Sequence, residues 1–128
     1  MSLTLIVDGA RWRNHLHTVA SAEPDLVPVA KGNGYGFSLG RLARKAQWLR
    51  QKGLGADTLA VGTYDELPEV ASRYDGSLLV LTPWRPFGAA ADATSGLEPA
   101  LSQRLIHTVS RVADLTELLD ELERQSAM

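Results

Sequence analysis

The sequence predicts an α/β fold built on a parallel sheet, and three observations predict it. Short apolar runs alternate with segments of helical spacing, the rhythm of right-handed βαβ units. The runs are apolar throughout rather than at every second residue, as strands buried on both faces are. Cap and turn residues fall where the period changes. With 128 residues the chain can hold about half of a (β/α)8 barrel, which takes about 200 residues or more. The expectation is a partial TIM-type barrel of about four parallel strands with their helices; a small open doubly wound sheet has the same rhythm.

The elements follow in order. Residues 3–7 form a β-prone run. Asp8 can cap a helix through Ala20, with Trp12, Leu16, Val19 and Ala20 on one face. Glu23-Pro24-Asp25 breaks it. Residues 26–30 read as a first buried strand, although Pro28 favours an edge. A glycine-rich loop follows, then a helix over 38–51 with Leu39, Leu42, Ala43, Ala46 and Leu49 inward, stopped by Gly53 and Gly55.

Residues 58–62 are a second strand. Thr63 and Glu66 match a capping box for a helix to about Tyr74, with Pro68 in or near its first turn. Residues 77–81 are a third strand, and 82–99, rich in Pro, Gly and Ala, read as mostly loop with one short helical piece. Residues 105–109 are a fourth. Ser110 or Asp114 caps a last helix carrying Val112, Leu115, Leu118, Leu119 and Leu122. The result is one domain over 1–128: an N-terminal strand and helix in 1–25, then four βα units in 26–128.

Composition narrows the function. The chain is 45% hydrophobic and 22% charged, as a soluble globular domain is. It has no Cys, which excludes disulfides, thiolate metal sites and a cysteine nucleophile. Thirteen basic and fifteen acidic residues leave a net charge of −2, so no nucleic-acid partner is expected. No run approaches the ~20 apolar residues of a membrane span, and 3–7 is too short for a signal peptide; a cytoplasmic protein is expected. His15 and His17, two residues apart, cannot share a metal on one helix face, so no metal is expected. His107 reads as a satisfied or exposed strand histidine, and Arg41, Arg44, Lys45, Arg50 and Lys52 as a solvated helix face. Trp84 and Phe87 read as loop residues that pack on a barrel rim or lie exposed.

Chemistry in parallel α/β folds sits where strands end and helices begin. The richest such junction is Val29-Ala30-Lys31-Gly32-Asn33-Gly34-Tyr35-Gly36. A lysine at a strand end points to the barrel axis, where partial desolvation favours the neutral amine that attacks carbonyls. Alternate glycines permit positive φ, and their N–H groups can face an anion ahead of the next helix. Tyr35 adds a hydroxyl donor. The same residues also read as a snorkelling surface lysine and ordinary turn chemistry. The spacing matches neither the Walker loop nor the dinucleotide fingerprint.

The run Val27-Pro28-Val29-Ala30-Lys31-Gly32-Asn33-Gly34-Tyr35-Gly36 resembles the pyridoxal-phosphate attachment motif of alanine racemases, V-V-K-A-N-A-Y-G-H-G. Gly55-Ala56-Asp57-Thr58-Leu59-Ala60-Val61-Gly62-Thr63 is similar to that family's G-A-D-x-L-A-V-A-x. Leu78-Leu79-Val80-Leu81 resembles its I-L-V-L-G strand, and Asp8 and Asn14 sit as in its V-D-L-x-A-L-x-x-N opening. The resemblance implies a pyridoxal-phosphate-dependent racemase interconverting L- and D-alanine for the cell wall. Lys31 would carry the cofactor as the internal aldimine, Tyr35 would donate to its phosphate, and Leu81 would line its pocket. It also implies a homodimer whose C-terminal domain supplies the catalytic tyrosine, reaching across the dimer. That domain and the next barrel strand lie beyond Met128, so the chain alone is expected to be catalytically incomplete, with exposed sheet edges that self-associate. Glycine stands for both motif alanines (Gly32, Gly34), and Phe37-Ser38 for His-Gly. A pyridoxal-phosphate carrier without racemase activity, or a non-catalytic remnant, are the alternatives.

Overall fold

A computed structural model describes residues 2–96 and 99–127 of the chain. Helices α1 (Gly9–Ala22) and α2 (Leu39–Gln51) precede strand β1 (Thr58–Val61). A 3-10 turn (Tyr64–Glu66) leads into α3 (Leu67–Ala71), then β2 (Ser77–Val80), α4 (Gly88–Gly96), α5 (Pro99–Ser102), β3 (Leu105–His107) and α6 (Val112–Ser126). The three strands form a parallel sheet in the order β1-β2-β3, with Ala60 opposite Leu79 and Leu79 opposite Ile106.

The expected first strand survives as a single parallel bridge, Val29 to Ala60. Ala30 N–H donates to the Ala60 carbonyl (2.8 Å) and Ala60 N–H to the Pro28 carbonyl (2.9 Å). Pro28 has no N–H to extend the ladder toward the N-terminus, and on the other side Gly32 N–H goes to Glu66 instead, so the ladder stops at one rung. Among the described residues the sheet therefore has three strands and a bridged edge segment rather than four strands. Residues 3–7, expected as a strand, have no regular structure, and Leu3, Leu5 and Ile6 are exposed. A β-prone run forms a strand only where an edge accepts it.

Helices α1 and α2 keep their expected faces, α1 with its expected cap and α2 capped by Ser38. Asp8 accepts from Arg11 N–H (3.1 Å) and Ser38 from Arg41 N–H (3.3 Å). The expected helix to Tyr74 is shorter, a 3-10 turn followed by α3. The 82–99 segment is more helical than expected, holding α4 and the start of α5; positions 97 and 98 lie outside the described residues. Neither Ser110 nor Asp114 caps α6: its cap position is Arg111, without a side-chain bond. Asp114 is instead buried between two guanidiniums, accepting from Arg111 (2.7 and 3.0 Å) and from Arg85 Nη1 (3.0 Å). Arg111, with Arg85 behind it, holds the Asp114 carboxyl below the usual carboxylate range.

One face of the sheet is closed and the other open. Leu59, Val61, Leu78 and Val80 pack under Leu39, Ala43, Leu67, Val70, Trp84 and Leu118 in a continuous core. On the opposite face, by strand alternation, Val29, Leu81 and Ile106 remain 37%, 40% and 44% exposed. The burial on both faces that the apolar runs predict is realised on the helix side; the other side is the face a barrel turns toward its axis.

Candidate functional site

Lys31 follows Ala30, whose N–H makes the last backbone bond to β1. Alternation puts Lys31 on the open face with Val29, at the level of Gly62 beyond β1 and Leu81 beyond β2. This is the C-terminal rim, where parallel α/β folds carry their chemistry. The side chain is exposed.

The loop after Lys31 is a chain of left-handed turns. Gly32, Gly34, Tyr35, Gly36 and Ser38 all have positive φ, from 55° to 88°. Gly34 N–H donates to the Lys31 carbonyl (3.0 Å), Phe37 N–H to Gly34 (2.9 Å) and Ser38 N–H to Asn33 (3.0 Å). Gly36 N–H donates to Asn33 Oδ1 (3.3 Å), and Gly32 N–H to the Glu66 carboxylate. The N–H groups of all three loop glycines are thus engaged within the protein. The expectation that they face an anion is corrected: the loop uses them to hold its own shape.

A cleft of about 580 Å³ opens at this rim, lined by Lys31, Gly32, Asn33, Tyr35, Gly62, Thr63 and Glu66. Lys31 and Tyr35 therefore share one cavity. Leu81 shares their rim and face but does not line it, being two strand spacings away, about 10 Å. Gly62 stands between, and the missing side chain matters there. An added Cβ would lie 3.1 Å from Lys31 Cβ and 2.7 Å from Glu66 Oε1. Tyr35, 61% exposed at φ 55°, also borders an apolar hollow lined by Leu5, Ile6, Trp12, Val29, Phe37 and Leu42.

Two residues at this end escaped the functional reading of the sequence. Glu66 was visible as a cap, and it does accept from Thr63 N–H (2.7 Å), but its reach to Gly32 crosses 34 positions. Tyr64, buried, hydrogen-bonds His107 Nδ1 (2.7 Å) with the two rings stacked 5.8 Å apart. His107 is thus a satisfied strand histidine. Trp84 is buried with Nε1 on Thr94 Oγ1 (3.1 Å), whereas Phe87 lies exposed.

The family model for the N-terminal domain of alanine racemase matches residues 7–127. The chain belongs to that family. No curated protein and no solved structure matches it. Alanine racemases depend on pyridoxal phosphate, and this alanine racemase domain offers a fitting donor set: one amine and one phenol on a cleft within the ~300–1,000 Å³ of ordinary cofactor sites. The space left by the absent Gly62 side chain keeps the wall beside Lys31 open. Among the described residues no helix is long and apolar enough to cross a membrane.

Proposed function

We propose that the chain is the cofactor-attaching part of a pyridoxal-phosphate-dependent amino-acid racemase barrel, acting on alanine. One observation carries the reading: in a chain of this family, Lys31 and Tyr35 face one cleft at the C-terminal rim of a parallel sheet. Lys31 is the attachment residue, Tyr35 the donor to the phosphate, and Leu81 the apolar wall farther along the rim. When bound, pyridoxal phosphate supplies a conjugated ring that accommodates the negative charge left at Cα once its proton is removed.

The protein's own part is orientation and proton transfer. Lys31 Nζ, on the open face, is the group that takes and returns a proton on one side of the substrate. Racemisation needs a second carrier on the other side, and each such transfer contributes roughly 10²–10⁴-fold. Among the described residues of the cleft the remaining titratable groups are Tyr35, assigned to the phosphate, and Glu66, whose carboxylate oxygens accept from backbone N–H groups. The 128-residue chain alone is therefore expected to attach the cofactor without racemising alanine. A homodimeric, cytoplasmic enzyme supplying D-alanine to the cell wall is the setting we propose for the reaction.

The three lysines provide an internal control. Lys45 and Lys52 each lie over a tryptophan ring, Trp12 and Trp48, away from the cleft. Incubation with pyridoxal phosphate, borohydride reduction and peptide mapping should label Lys31 ahead of both, and Lys31→Ala should abolish that label. Equal labelling of all three overturns the reading. No D-alanine should form from L-alanine; turnover at enzymatic rates would place a second proton carrier within the chain.

A further inference from the structure

We propose that Glu66 is a positioning residue for Lys31, holding the peptide that follows the lysine against the exit of β1. This rests on the reading of Lys31 given above and adds a residue to it. Both carboxylate oxygens act as acceptors. Oε1 takes the N–H (2.7 Å) and Oγ1 (3.3 Å) of Thr63, which closes the local cap. Oε2 takes Gly32 N–H, a contact that capping does not require.

That second contact joins two strand exits with no further backbone rung between them, because Gly32 N–H goes to Glu66 rather than to β1. Gly32, at φ +61°, has nothing within 4 Å of where a Cβ would sit, so side-chain packing does not hold this peptide. Its hydrogen bonds do, the N–H to Glu66 and the Lys31 carbonyl from Gly34 N–H (3.0 Å). A flip of the Gly32 peptide would swing the end of the segment carrying Lys31, and the carboxylate opposes that flip. Gly62 makes the approach possible, since its Cβ would collide with Glu66 Oε1. The 3-10 turn bearing Glu66 is fixed from its far side by the Tyr64–His107 hydrogen bond. A continuous set of contacts therefore runs from β3 through the turn to Lys31.

Glutamine tests this because it keeps the shape and changes one atom's role. In Glu66→Gln an NH2 replaces one oxygen and meets an N–H, donor against donor. Amide exchange by NMR on the cofactor-free chain should show Gly32 protected in the wild type. Its exchange should speed about tenfold or more in the variant, the scale of one charge-assisted hydrogen bond, with the unfolding curve shifted by no more than that bond and its cooperativity kept. Trapped pyridoxal phosphate on Lys31 should form about tenfold more slowly, with Lys45 and Lys52 labelling unchanged. An unprotected Gly32 in the folded wild type overturns the proposal without any variant. Equal Lys31 labelling in wild type and Glu66→Gln also overturns it and leaves the functional reading standing. Absence of Lys31 labelling in the wild type sinks the functional reading, while the exchange measurement still decides the role of Glu66.

Discussion

Ser38 holds φ 76° and ψ 147°, a region of backbone space that is nearly glycine's alone. The attachment motif that this run resembles has glycine at this place, and alanine where this chain has Gly34. There the exchange is enforced sterically: a Cβ on Gly34 would lie 2.2 Å from the Ser38 carbonyl oxygen. Strain of this kind costs about 1–3 kcal/mol, whereas replacing a serine cap by glycine costs a few tenths. Ser38→Gly should therefore stabilise the chain by about 1 kcal/mol in urea unfolding. Gly34→Ala should destabilise it by about 1–3 kcal/mol or more, and a neutral result would mean that the loop follows another path. Lys31 and Tyr35 were legible as a pair because five consecutive residues carry both. The Glu66–Gly32 bond was not, because it depends on two segments becoming neighbours in the sheet.

At the scale of elements, periodicity and burial agree for Trp12 to Ala20 and for Leu39 to Leu49, but not for α6, where Val112, Leu115 and Leu119 are exposed. The strands were overcounted. Apolar runs at 3–7 and 26–30 look alike in sequence, but pairing is a property of the neighbour as well. The Ala-rich stretch Ala89–Ala93 in α4 is helical despite its Pro and Gly surroundings, since those residues fall outside the helix or at its ends. The Tyr64–His107 link between the turn and β3 carries its own pH signature. Burial lowers the His107 pKa from its ordinary 6.5 and pushes the Tyr64 hydroxyl up to about 12. Above pH 6.5 the imidazole is neutral in both states. As pH falls below that value the unfolded chain takes up a proton that the folded chain resists, and stability declines until the folded ring titrates. At the alkaline end stability is lost as pH rises from 10 through about 12. Comparing melting temperatures of the wild type and His107→Asn across pH 5–8 should show a shallower acid-side slope in the variant; identical slopes would remove His107 from the account.

At the scale of the molecule, one side of the sheet bears the core and the other an open apolar surface. Leu78, fully buried, sits at the centre of the closed side, and Leu78→Ala should cost about 2–5 kcal/mol. The open side, with Val29, Leu81 and Ile106 between strand edges, should make the chain associate as its concentration rises. Sedimentation should show this, and Ile106→Lys should reduce it; a monomer at all concentrations would contradict the expectation. The architecture was legible from rhythm alone, but which face stays open is decided by packing partners that no periodicity reports. The single rung at Val29 has a further consequence in the order of opening. Regions with few backbone bonds exchange through local fluctuation long before the whole molecule unfolds. The segment bearing Lys31 is such a region, so it should be the first part of the sheet to open, ahead of β1 and β2. A ligand that binds only the closed form suppresses that opening by mass action. Cofactor attached at Lys31 would then act as the missing rung, protecting Ala30 more than any residue of the inner strands.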